Sequence, residues 1–168
     1  DIATKQYVDN NTPEEFTAII DVTSDMTLED IQYLINGVRG TLVLNFTEYL
    51  EIWGGTLNFP YEINEVYIVN SCPAITLQGH SSLSSQKIFC QNSLVENATI
   101  KYFGKVYDAW PAWSIQNCGN IYDSFAQYEI SDCDQLIRSG VSIGAGGWGT
   151  TKISNCNSVI DCFTDSGA

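Results

Sequence analysis

The sequence predicts a mainly β chain, a parallel β-solenoid of about five coils behind an N-terminal strand-helix cap. Three observations carry this. The chain has 168 residues, 44% hydrophobic and 12% aromatic, which is enough apolar material for one packed core and unlike a disordered composition. From residue 66 onward one pattern recurs: an apolar strand, a small polar step ending in Cys or Ser, and a second short apolar strand. Within these copies the apolar residues alternate as in strands, with no room for a helix. A unit of this size cannot bury its apolar face alone, so successive units must stack.

Taken in order, residues 1–15 are an arm or linker, and residues 16–65 a capping strand-helix-strand segment. The first strand of the cap is Phe16-Thr17-Ala18-Ile19-Ile20-Asp21-Val22. Thr27-Leu28-Glu29-Asp30 then resembles a capping box, in which a hydroxyl and an acid three residues later satisfy each other's backbone N–H groups. Ile31, Leu34, Ile35 and Val38 follow at helical spacing, with Gly37 and Gly40 near the stop. Strand-like runs at 41–46 and 55–59 complete the cap, which protects the open end of the solenoid.

Residues 66–168 carry the coils. The copies read 66–72 with 74–77, 113–118 with 120–122, 128–133 with 135–137, and 151–156 with 158–160. A blurred copy at 87–92 continues at 99–101. Ile68, Ile88, Ile115, Ile130 and Ile153 mark the first strands, and Ile75, Ile100, Ile121, Ile137 and Ile160 the second. Both sets average about 21 residues apart, but the first is uneven, with intervals of 20, 27, 15 and 23. The longest interval is expected to hold a protruding loop at 101–111. Stacking places Cys118, Cys133 and Cys156 in an internal ladder. Asn117, Asp132 and Asn155 fall at tight corners, where short polar side chains tolerate left-handed backbone. The last coil ends without a closing element, so the expectation is a piece of a longer protein.

Charge and cysteine spacing exclude several function classes. Seven Lys and Arg stand against 20 Asp and Glu, a formal net charge of −13 that repels nucleic acid and anionic membrane surfaces alike. The apolar runs are too short to span a membrane. The six cysteines contain no CxxC pair, and the single histidine, His80, cannot complete a zinc site. No metal or cofactor is expected, and the cysteines are read as free thiols acting as small apolar side chains.

Ala3-Thr4-Lys5-Gln6-Tyr7-Val8-Asp9 resembles a short segment found repeatedly in bacteriophage tail fibres. The strand-helix-strand segment followed by β-coils is similar to the pectin-lyase-like region of phage tail fibres and tailspikes. The resemblance implies a right-handed parallel β-helix, commonly a homotrimer, at the receptor-facing end of a virion tail. It implies assembly in bacterial cytoplasm, where thiols stay reduced, alongside other phage tail proteins. It also implies a bacterial surface polysaccharide as the partner.

The unusual local composition is the aromatic-rich stretch 102–113. Tyr102, Tyr107, Trp110 and Trp113 offer flat apolar faces on which the C–H groups of pyranose rings pack, and Asp108 and Lys105 offer partners for the hydroxyls. Trp148, in the glycine-rich stretch 144–149, is expected on the same face. The bland alternative is that these rings pack on the solenoid wall or in a trimer contact. Glycoside hydrolysis needs two carboxyls about 5 to 10 Å apart. Asp123, Glu129, Asp132, Asp134 and Asp161 fall in adjacent coils, with Asp132, Asp134 and Asp161 the candidates, though among 20 acids such pairs arise by coincidence. Arg138 beside Asp134 and Asp161 is the arrangement a lyase would use, though a surface ion pair explains it more simply. The expectation is host attachment by glycan recognition without cleavage. A polysaccharide depolymerase on the same scaffold and a structural fibre spacer are the alternatives.

Overall fold

The computed structural model describes residues 17–110, 112–142 and 151–165. These residues are mainly β, with one helix. The first elements are β1 (Thr17–Val22), α1 (Leu28–Asn36), β2 (Gly40–Phe46), β3 (Trp53–Asn58), β4 (Ile63–Ser71) and β5 (Ala74–Gln78). The long strand β6 (Lys87–Lys101) is followed by β7 (Lys105–Tyr107), β8 (Ala112–Gln116), β9 (Asn120–Tyr122) and β10 (Phe125–Ser131). Short strands close the series: β11 (Gln135–Ile137), β12 (Gly140–Ser142), β13 (Lys152–Ser154), β14 (Ser158–Ile160) and β15 (Phe163–Asp165).

Every strand pair among the described residues is parallel, and the pairs form two ladders. The first runs β1-β2-β4-β6-β7-β9-β11-β14. The second runs β3-β5-β6-β8-β10; β12 and β13 both pair with β10, and β15 with β12. Strand β6 belongs to both and joins them into one sheet, curved as a half-barrel.

Registered rows explain why these residues make strands. In the first ladder Ala18, Leu42, Val66, Ile88, Val106, Ile121, Leu136 and Val159 lie in one row. All but Val159 are fully buried. Leu57, Leu77, Ile100, Ile115, Ile130 and Ile153 form the matching row of the second ladder. Each Ile or Leu fully removed from water contributes about 2 kcal/mol, so these two rows are the main source of stability. On the outer side of the first ladder Tyr67, Phe89, Tyr107 and Tyr122 stack with ring centroids 4.6, 4.9 and 4.9 Å apart. That spacing is the separation of neighbouring strands.

The corners between strands form two columns in the left-handed region. Tyr102, Asn117, Asp132 and Asn155 follow the second ladder, with φ of 59°, 53°, 55° and 54°. Asp108, Asp123, Arg138 and Asp161 follow the first, with φ of 54°, 48°, 46° and 51°. Asn and Asp suit this conformation because their short side chains bond locally. The corner amides extend the ladders: Asp123 N–H donates to the Ile137 carbonyl at 3.1 Å, and Asp132 N–H to the Ser154 carbonyl at 3.0 Å. Beyond the first column, Ser124 and Ser139 are fully buried yet satisfied. The Ala109 amide donates to the Ser124 hydroxyl and the Ser124 amide to the Ser139 hydroxyl, each at 3.1 Å.

Several expectations hold and others shift. Thr27 and Asp30 form the capping box, Gly37 ends α1, and Ile31, Ile35 and Val38 are buried, while Leu34 faces solvent. The segment 16–65, expected to cap the coils, contributes β1, β2 and β3 to the same two ladders. The stretch 101–111, expected as a protruding loop, contains β7, a full member of the first ladder. The cause is a mixed register. Ile88 belongs to the first ladder and Ile115 to the second, so the interval between them spans more than one layer. Ile121 aligns with Leu136 and Val159, whereas Ile137 and Ile160 align with Tyr122 on the outer face. A slip of one residue exchanges the faces of a strand.

All six cysteines are free, with Cys72, Cys90, Cys118 and Cys133 buried. Cys118, Cys133 and Cys156 each follow by two residues one member of the registered set Gln116, Ser131 and Ser154. Burial pushes the Cys72 thiol up, and the Cys90 thiol to about 12. Contact with Cys118 and burial raise Cys133 as well. The thiolate is the reactive form, so these thiols should resist a disulfide reagent at pH 8 in the native protein. All six should react after unfolding without reductant; fewer than six would contradict the ladder of free thiols.

Candidate functional site

The aromatic stretch 102–113 does not form one platform, because it passes through three environments. Tyr102 occupies a corner of the second ladder. Phe103 is fully buried against Phe59, with ring centroids 5.8 Å apart. Tyr107 lies within the ring stack of the first ladder, between Phe89 and Tyr122. Trp110, just before β8, and Trp113, within β8, remain on the outer wall, 54% and 45% exposed. Trp148 lies outside the described residues.

The wall gains other aromatics from the next layer. Trp110 packs against Phe125 with centroids 4.9 Å apart, and Trp113 stacks on Tyr128 at 5.6 Å with rings 2° from parallel. Phe125 and Tyr128 stand fifteen residues after Trp110 and Trp113, which is the local offset between layers, as in Ile115 to Ile130. Two layers therefore present a two-by-two array of rings. Trp110 stands just before β8 and Trp113 within it, while Phe125 and Tyr128 both lie in β10, whose pairing with β8 shifts register between Ala126 and Glu129. Tyr128 is 46% exposed, so the array is open to solvent.

A fifth ring joins through a glycine. Phe163 lies two layers above Phe125, yet their centroids are 6.0 Å apart. Gly140 occupies the layer between them, and a Cβ there would stand 2.9 Å from Phe163 ring carbons. The missing side chain is what lets the Phe163 ring lie over that layer, where it also meets Trp110 at 6.0 Å.

Beside the array a cleft of about 450 Å³ is lined by Asp108, Trp110, Asp123 and Arg138, together with Cys90 and Ser93. Arg138 grips Asp123 with both ends of its fork, Nε to Oδ1 at 2.6 Å and Nη2 to Oδ2 at 2.7 Å. The hydrogen bond from Arg138 holds the Asp123 carboxyl below the usual carboxylate range. The expected grouping of Arg138 with Asp134 and Asp161 is thus corrected. Asp123, one layer below in the same corner column, takes its hydrogen bonds, and Asp161 acts on it only through its charge. Asp134 lies in the other part of the molecule's polar surface.

Asp132 and Asp134 line a separate polar groove of about 610 Å³ with Lys105, Asn120, Asn155 and Asn157. Each carboxylate accepts an amide N–H from the layer above, Asp132 from Asn155 and Asp134 from Asn157, both at 3.0 Å. The structure therefore assigns Asp132 and Asp134 to one corner and Asp161 to the other. As arranged, the first pair ties layers together and offers hydrogen-bond acceptors. Lys105 sits in this groove, not with the array. His80 rests its ring against Tyr61 at 5.7 Å.

Phe125, Tyr128 and Phe163 are the site residues that the sequence reading missed, and Asp123, one of its carboxyl candidates, was not read as the partner of Arg138. The fifteen-residue offset would have found two of the three, since it carries Trp110 to Phe125 and Trp113 to Tyr128, and it also carries Asp108 to Asp123. Comparison with protein-family models, curated proteins and solved structures gives no match to this chain.

Proposed function

We propose that this chain is a host-attachment segment of a phage tail fibre or tailspike, binding a bacterial surface glycan without cleaving it. The observation that carries the reading is the exposed two-by-two array of Trp110, Trp113, Phe125 and Tyr128 beside a polar cleft. Pyranose rings present apolar C–H faces and a polar rim, so successive sugars pack on such rings while their hydroxyls meet Asp108 and its neighbours. Trp113, Phe125 and Tyr128 are held by strands, which reduces the ordering cost of binding.

For the scaffold we propose a right-handed parallel β-helix in which the two ladders are two of the walls. In its support, two corner columns alternate with the ladders, and parallel crossovers within a sheet are right-handed in about 98% of cases. Parallel association of three copies accords with the resemblance to tail fibres, as does a place in the virion tail after assembly in the bacterial cytoplasm. The binding reading is preferred to a depolymerase because Asp132 and Asp134 are each engaged by an Asn amide, and Asp161 is set apart from them.

Changing both Trp110 and Trp113 to alanine should weaken glycan retention by about a hundredfold, since aromatic anchors at a binding centre typically contribute 2 kcal/mol or more. Both rings are about half exposed, so the melting temperature should fall only modestly beside the loss of retention. Affinity electrophoresis in gels containing host polysaccharide tests this. Unchanged retention would return the two residues to packing.

A further inference from the structure

We infer that the aromatic wall selects glycans lacking acidic groups, and that its own carboxylates repel chains carrying uronate or phosphate. This rests on the proposed glycan-binding reading and names the chemistry of the sugar. Around the array and its cleft stand four carboxylates, Asp108, Asp123, Glu129 and Asp161, against three cations, Arg138, Lys152 and, one strand below Gln116, Lys101. Two of the three are engaged. Arg138 spends its fork on Asp123, and Lys152 Nζ lies 3.9 Å from Glu129 Oε1. Glu129 immediately follows Tyr128 of the array. It also accepts from the Gln116 amide at 3.0 Å, so its position is fixed.

The Asp108 amide donates to the Tyr122 carbonyl at 3.2 Å, but its carboxylate has no hydrogen-bonding or ion-pair partner among the described residues. Its corner position, with φ of 54°, is one that Asp and Asn both tolerate. An incoming carboxylate or phosphate would find no unpaired cation in the cleft. It would meet an unpaired Asp108 on a molecule whose formal net charge is already −13. Uncharged or amine-bearing sugars meet no such repulsion. The aromatic rings supply contact area that does not depend on charge, so selection acts through exclusion of the wrong ligand.

The test is retention on immobilised bacterial polysaccharides of known charge, neutral and uronate-bearing, at low and at moderate salt. Neutral chains should be retained with little salt dependence. Acidic chains should be retained at least about tenfold less at low salt, with the gap narrowing as salt screens the repulsion. Replacing Asp108→Asn should raise retention of acidic chains about two- to fivefold and leave the fold intact. Equal or stronger retention of acidic chains at low salt would overturn the inference and leave the glycan-binding reading standing. Retention of neither class would overturn both. No response to Asp108→Asn would overturn the role given to that carboxylate.

Discussion

Replacing Gly104 by alanine is expected to destabilise the protein by about 3 kcal/mol, enough to lower the melting temperature by roughly 6–12 °C for a domain of this size. A Cβ at this position would lie 1.8 Å from the Ser84 carbonyl oxygen and 3.3 Å from that of Gln86. Ser84 is tied back to the Ser81 carbonyl through its amide and hydroxyl, and the Gln86 carbonyl is held in place. The Gln86 carbonyl accepts the Lys105 amide at 3.1 Å, and the buried Gln86 side chain donates to the Pro60 and Ile63 carbonyls while accepting the His80 amide. The next layer repeats the constraint: a Cβ at Gly119 would stand 2.3 Å from the Gly104 carbonyl oxygen. Gly37→Ala is the control. Its Cβ would meet only the Leu34 carbonyl, at 3.6 Å, and its φ is an ordinary −88°. Thermal melts of the two variants should separate clearly; a Gly104 variant melting within two degrees of its parent would contradict this close packing.

Phe103→Ala should be similarly severe, at about 3–5 kcal/mol. The ring is fully buried, packs on Phe59, and approaches Gly79 so closely that a Cβ there would sit 2.9 Å from it. Truncation removes this contact and leaves a cavity that fixed strands on either side cannot collapse to fill. Urea denaturation should show a lower midpoint with an unchanged slope, since the surface exposed on unfolding stays nearly the same. Phe103→Leu should recover more than half of the loss. If alanine at 103 leaves the midpoint unmoved, the ring is not part of the core.

The strand-step-strand repeat was legible in the sequence because a two-residue alternation and an Asn or Asp before Cys are local signals. Asn117, Asp132 and Asn155 occupy the left-handed corners for the reason their side chains predict. The phase of the repeat was not legible. An inward Ile looks the same in either ladder, and nothing in the residues around Ile88 and Ile115 marks them as belonging to different ones. The aromatic site was half legible. Trp110 and Trp113 stood out by composition, but Phe125 and Tyr128 acquire their role only when the fifteen-residue offset is applied. Gly140 could not be read at all, because its role is to have no side chain where a ring from another layer must lie. The pairing of Arg138 with Asp123 follows from the same offset. Of the expected neighbours, Asp161 stands next to Arg138 in the corner column and acts on it through its charge, while Asp134 falls at the other corner.

The account turns on whether the aromatic wall holds a glycan intact. The most direct measurement is the size profile of host surface polysaccharide after incubation with excess protein, run beside the variant lacking both Trp110 and Trp113. Full-length chains that co-migrate with the parent protein, and fail to co-migrate with the variant, are the predicted result. Shortened chains would contradict it and direct attention to Asp132 and Asp134, and full-length chains that ignore both proteins would contradict the binding reading itself.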